Sequence, residues 1–346
     1  MTVNVGIVGT GIFATDRHLP TLKKIPDLNP AGCYNRTKSK AEEFAKKTGN
    51  KNINVYDLLE EIIQSDELDF VDVLLPVQFN LNAVKTAVKY GKPICLEKPI
   101  AANLEQAREI VKISRETDLP ITVLENWSFL KAREILEEEI LPKIGNIVSF
   151  TYRSTGAWNE NNKYLNTSWR KNPEHIGGFL SDGGVHQLAL LTDVLGQVET
   201  VSAHTKQVRE ESGADDILFS IMKLTSGVIG TFTYGSAFGA TEKSTSFIIY
   251  GTNGSVVYDF SPHLPKPVIS YRIGKSMQLS TADTNLEVEN NDTFKEEFEN
   301  FISSVTKKDK SLVKVKPENA FHHLAIIAAA LESSAKNGNT IAVEQV

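Results

Sequence analysis

The stretch Val3–Ala14, VNVGIVGTGIFA, restricts this chain more than any other. Val3 to Val8 is mostly apolar and reads as a short buried strand. It runs directly into Gly9-Thr10-Gly11, with Ala14 three residues further on. A strand that ends in G-x-G-x-x-A and opens a helix is built to hold a pyrophosphate. Gly9 allows the tight turn. Gly11 presents no side chain, so a phosphate can approach the backbone. Ala14 is small enough for the helix to pack on the strand. The free N–H groups at the helix start add partial positive charge. Gly9, Thr10, Gly11, Ile12 and Phe13 are therefore the expected cofactor contacts; the alternative is a purely structural glycine turn.

The second strand decides which dinucleotide is held. An NAD site places Asp or Glu at its tip, on the ribose 2′-hydroxyl. Here the strand Ala31–Tyr34 runs into Asn35-Arg36-Thr37-Lys38-Ser39-Lys40, which contains no acid. The Arg36 guanidinium can grip a 2′-phosphate with two donors, with Asn35, Thr37 and Lys40 beside it. The stretch predicts NADP(H) over NAD(H). A second reading stays open: Asn35 caps a helix over 37–48, and the basic residues are its solvated face.

A chain of 346 residues is long for one core, and two domains are expected. Strand and helix alternate through residue 125, which predicts a doubly wound parallel sheet over 1–125. From 126 to 346 longer strands joined by turns alternate with a few helices. That pattern predicts an α+β domain with a large, mostly antiparallel open sheet, covering the nicotinamide end and forming the substrate pocket. The formal charge of −6 argues against nucleic acid as a partner. No apolar run is long enough to cross a bilayer. With a strand at Val3, no leader peptide is expected ahead of the fold. Cys33 and Cys95 are the only cysteines, so neither a metal site nor a disulfide framework is expected. A reduced, cytoplasmic setting follows.

Two clusters carry chemistry. Glu97-Lys98-Pro99 ends the fifth parallel strand, on the rim where ligands bind. Beside a nicotinamide cation the ammonium form of Lys98 is disfavoured, so it could take a proton from a substrate hydroxyl. The segment from Gly177 to His186 holds Asp182 and His186 four residues apart. On one helix they share a face, and the carboxylate can orient the imidazole. The bland alternatives are a surface lysine, Asp182 as a helix cap and His186 as a packed ring.

Taken together, these motifs resemble the Gfo/Idh/MocA oxidoreductases, the glucose–fructose oxidoreductase and inositol dehydrogenase group, over nearly the whole chain. Trp169-Arg170, Glu296-Glu297-Phe298, Phe301 and Ala330–Ser334 extend the match. Within the family the chain looks most like fungal NADP-dependent members. The resemblance implies hydride transfer between the nicotinamide and a small carbonyl or hydroxyl compound, an aldehyde, ketone, sugar or polyol. Lys98 and His186 would handle the proton, with Asp182 orienting. It implies cofactor contacts from Pro76, Asn80, Glu97, Lys98, Trp169 and Arg170. A cis bond before Pro99 and a homodimer or homotetramer through the C-terminal sheet are also implied. Two family positions differ: Ala189 stands where many members carry an acid, and no histidine follows Pro76.

Trp127, Trp158, Tyr164 and Trp169 offer either pocket walls or ordinary packing. Asn126 offers a cofactor or substrate contact, or a helix cap. His322-His323 reads as packing or surface. A non-catalytic NADP sensor on the same fold is the competing reading, and glycoside cleavage with hydride taken and returned is a third.

Overall fold

The structure is a computed structural model that describes residues 2–161, 173–280 and 282–346. It divides into two compact units, one of 1–126 with 292–321 and residue 346, the other of 127–291 with 322–345.

The first unit is built on six parallel strands: β1 (Val3–Val8), β2 (Leu28–Tyr34), β3 (Asn54–Tyr56), β4 (Phe70–Val73), β5 (Ile94–Glu97) and β6 (Ile121–Leu124). Their order, β3-β2-β1-β4-β5-β6, reverses direction between β1 and β4. That switch point opens a crevice at the carboxyl ends of the strands. The helices between them are α1 (a π turn, Ala14–His18, continued by Leu19–Leu22), α2 (Lys38–Thr48), α3 (Leu59–Gln64), α4 (Asn80–Lys89) and α5 (Leu104–Glu116). β4 is buried at every residue, as a central strand covered on both faces must be.

The segment 292–321 completes this unit. Asp292 caps α7 (Thr293–Lys307) by accepting from the Lys295 N–H, and its carboxylate also takes Lys24 at 2.7 Å. α7 lays Phe298 and Phe301 into the same core as Val5, Ile7, Leu22 and Phe70. Lys310 then donates to the carbonyls of Ser114 and Thr117, closing the end of α5.

The second unit holds a nine-stranded sheet: β7 (Ile147–Ala157), β8 (Val198–Lys206), β9 (Ile217–Leu224), β10 (Ile229–Phe238), β11 (Ser244–Gly251), β12 (Gly254–Asp259), β13 (Val268–Ile273), β14 (Thr284–Glu287) and β15 (Ile341–Ala342). The order is β14-β13-β12-β11-β7-β10-β9-β8-β15, and all pairs are antiparallel except β7 with β10. The chain thus has the expected two kinds of sheet. β13 and β14 extend the second sheet beyond the strands legible in the sequence. They lie at its edge among Pro265, Pro267 and Gly274, where strand pattern is weak.

α6 (Phe179–Leu195) contacts β9 and β10. The Tyr152 hydroxyl, buried on β7, donates to the Gln187 side chain at 2.7 Å and pins the middle of α6. The final helix, α8 (Pro317–Ala335), carries the His pair. His322 accepts the Val198 N–H and His323 pairs with Thr192, so both are packing residues. Burial pushes the His322 pKa down to about 4, which keeps the ring neutral and free to accept.

Candidate functional site

In the first unit the glycine turn has the shape a phosphate cradle needs. Gly9 has φ +100°, and a Cβ there would lie 2.5 Å from the carbonyl oxygen of Leu74, the residue after β4. Any other residue would be strained and in collision. A Cβ on Gly11 would meet nothing within 4 Å. The Thr10 hydroxyl is buried with no protein hydrogen-bond partner. Open space beside an orphaned hydroxyl fits a dinucleotide pyrophosphate. Ile12 is 44% exposed at the same turn, and Phe13 folds back onto His18.

A groove beside the turn is lined by Thr10, Gly11, Ile12, Thr15, Lys40 and Lys47, with Asp16 and Glu43 on its walls. Arg36 is exposed at the tip of β2, where the chain carries no acid. Asn35 accepts the Thr37 N–H at 2.9 Å in a local turn, and α2 starts at Lys38. The helix-cap reading of Asn35 is therefore not what forms: Thr37 occupies the cap position.

Lys98 follows the last residue of β5 and is half-buried; the Lys98–Pro99 peptide is cis. Pro76 is exposed at the start of the turn after β4. Asn80 is buried, and its side chain reaches the carbonyls of Glu97, Pro99 and Ile100 at 3.4, 3.3 and 3.2 Å. Its carboxamide thus holds the turn that carries Lys98. Asn126 donates to the Thr293 hydroxyl at 2.8 Å, which ties the end of β6 to α7.

Glu97 points into the unit rather than outward. The ring of His18, wholly buried, bonds Asp72 through Nδ1 at 2.7 Å and Glu97 through Nε2 at 2.8 Å. A carboxylate can only accept, so this ring donates from both nitrogens and carries a charge. Burial opposes that charge, but the two carboxylates outweigh it and push the His18 pKa up to about 10. Phe13 and Phe298 press on the ring at centroid distances of 5.3 and 5.2 Å. Glu297, buried close by, has its pKa raised well above the usual range by burial and by the charge of Glu97. Sequence reading passed over His18 and Asp72. The available signal was an acid inside the apolar run Phe70–Leu75.

In the second unit Asp182 and His186 lie one turn apart on α6, both half-buried. The helix starts at Phe179, and the Asp182 N–H already donates to the Gly178 carbonyl. Asp182 is therefore a first-turn residue and not the cap. Trp127 stacks on His186 at 5.7 Å and 23°, and meets Phe260 edge-on at 5.7 Å. The backbone N–H of Trp158 donates to the Phe238 carbonyl. Gly183 makes room for the Tyr234 hydroxyl, which a Cβ would strike. Tyr164, Trp169 and Arg170 lie outside the described residues. No group of three or more His, Cys, Asp or Glu suited to a metal occurs among the described residues, and no helix there is long and apolar enough to cross a membrane.

A reversing parallel sheet, a phosphate-fitting glycine turn and a lysine on the carboxyl rim together define an NAD(P)-binding Rossmann oxidoreductase. The chain belongs to the Gfo/Idh/MocA oxidoreductase family: residues 3–125 match its NAD-binding Rossmann fold and 137–343 its C-terminal alpha/beta domain. It is 53% identical to the Saccharomyces cerevisiae protein YMR315W, with 99% of each chain covered. It is 28% identical to the dehydrogenase FPY6 of Fusarium mangiferae, over 97% of this chain and 98% of that one. Among solved structures, an oxidoreductase from Thermotoga maritima is 32% identical, covers 99% of both chains and superposes with a TM-score of 0.85.

Proposed function

We propose that this chain is an NADP(H)-dependent oxidoreductase acting on a small carbonyl or hydroxyl compound: an aldehyde, ketone, sugar or polyol. The carrying observation is the open glycine cradle combined with an acid-free, cationic tip on β2. Gly9, Thr10, Gly11, Ile12 and Phe13 would hold the pyrophosphate, and Arg36, Thr37 and Lys40 the 2′-phosphate. When bound, the cofactor supplies or accepts hydride at C4 of its nicotinamide.

Lys98 exchanges a proton with the substrate oxygen from the rim of β5. Its turn is held by the Asn80 carboxamide, which favours a defined position for the ammonium. His186 is the second proton-handling group. Trp127 restricts its ring, and Asp182, one turn earlier on α6, orients it. Two buried free thiols, Cys33 with a pKa pushed up to about 12 by burial and Cys95 also raised by burial, support a reduced cytoplasmic setting. The outward face of the second sheet supports a homo-oligomer, because Phe219, Ile221, Ile229 and Tyr250 are between 44% and 57% exposed on it.

The test is NADPH-band absorbance in both directions across aldehydes, dicarbonyls, aldoses and polyols. Lys98→Ala is expected to abolish turnover by about a hundredfold or more. Arg36→Ala is expected to raise the NADPH dissociation constant by roughly tenfold and leave NADH nearly unchanged. Tight NADPH binding without Lys98-dependent turnover would transfer the assignment to a sensor. Equal losses of NADPH and NADH in the Arg36 variant would remove the NADP preference.

A further inference from the structure

The buried set His18, Asp72 and Glu97 has no part in the chemistry above, yet it lies one residue from Lys98. Asp72 sits within β4 and Glu97 is the last residue of β5. His18 belongs to the π turn of α1, the helix that grows out of the glycine loop. In that turn the Leu19 N–H returns to the Ala14 carbonyl, which inserts an extra residue per turn. The inserted width coincides with a ring that reaches both strand ends.

We propose that His18 is a positioning residue for Lys98: anchored on Asp72, it clamps the Glu97 side chain and so fixes the peptide from which Lys98 projects. This rests on the reading of Lys98 as the proton-handling group. Strand ends are loose unless their side chains or carbonyls are held. Here both are held, the Glu97 side chain by His18 and the Glu97, Pro99 and Ile100 carbonyls by Asn80. Two hydrogen bonds in one ring plane, with Phe13 and Phe298 against its edges and faces, leave the imidazole little freedom. A buried ion pair is a poor source of net stability compared with apolar packing. What this one supplies is a single geometry at the rim. The same ring joins the helix that grows from the glycine loop to the Lys98 turn.

The link is tested without cofactor or substrate, by competitive acetylation of the apo protein with acetic anhydride. Peptide mass spectrometry reads Lys98 against the exposed Lys85 and Lys112. His18→Asn keeps a group facing Asp72 but cannot reach Glu97. Glu97→Ala removes the clamped side chain and leaves the His18–Asp72 pair in place. Both are expected to change the relative acetylation rate of Lys98 by about threefold or more. Glu97→Gln still accepts from His18 and is expected to stay near the wild-type rate. If His18→Asn fails to fold, as judged by circular dichroism, the two Glu97 variants decide. An unchanged Lys98 rate in Glu97→Ala overturns the proposal, even if the melting temperature falls, because a purely structural contact would do only that. A Glu97→Gln rate displaced as far as that of Glu97→Ala also overturns it. Absence of turnover on every substrate would sink the oxidoreductase reading and leave this result standing.

Discussion

His18 and Glu297 make the folded chain hold protons that the unfolded chain releases. The His18 pKa moves up from 6.5 to about 10, so its contribution to stability is complete below pH 6.5 and is lost as pH rises through about 10. Glu297, raised well above 4.5, keeps a proton that the unfolded chain gives up above that pH, which also makes stability fall as pH rises. Each proton of difference is worth ~1.4 kcal/mol per pH unit. Urea midpoints at pH 6, 7.5 and 9 should therefore fall steadily, and His18→Asn should flatten the slope. An equal slope in the two proteins would mean that His18 is not the group responsible. Lys98, Asp182 and His186 were legible as candidates because each sits in a short motif with turn glycines or a proline beside it. His18 was not, because its partners are 54 and 79 residues away and only the fold brings them together.

At the scale of elements, α6 shows how a glycine-rich segment can serve packing. Gly183 and Gly184 directly follow Asp182 on this helix. What approaches Gly183 is the Tyr234 hydroxyl of β10, buried and backed by Phe179 at 6.0 Å. Gly183→Ala should cost ~1–3 kcal/mol, because Tyr234 has no room to retreat. Adding Tyr234→Phe, which removes the struck oxygen, should recover part of that loss in chemical denaturation. A Gly183→Ala protein as stable as the wild type would show that the approach is looser than described. The first strands of the parallel sheet were readable to within a few residues, since strand and helix periods alternate cleanly there: the β1 limits coincide with those observed, and β2 starts three residues earlier than expected. β13 and β14 were not, because edge strands need no buried face on both sides and so carry little apolar alternation. α6 is opened by Gly177 and Gly178, both with positive φ, and Gly178 rather than Asp182 is the cap.

For the whole molecule, the outward face of the second sheet is the feature with the largest consequence for association. β9 alternates buried Leu218, Ser220 and Met222 with exposed Phe219 and Ile221. β10 and β11 add Ile229 and Tyr250 to the same outward side. Ile221→Lys is expected to shift the protein toward the monomer in light scattering while leaving its circular dichroism unchanged, because the position is already 57% exposed. A wild type that scatters as a monomer at every concentration would end the oligomer proposal. The division into a parallel and a mostly antiparallel sheet was plain in the sequence. That 292–321 belongs with the parallel sheet was not, since a helix pattern does not say which core it fills.

This late segment also sets an order of events on the ribosome. Phe298, Phe301 and Val313 fill the core that Val5, Ile7 and Phe70 begin. At ~5–20 residues per second, roughly ten to forty seconds separate the emergence of β6 from that of Val313. Through that interval the nascent sheet presents an uncovered apolar side to solvent, and the last third of translation is what finally closes it.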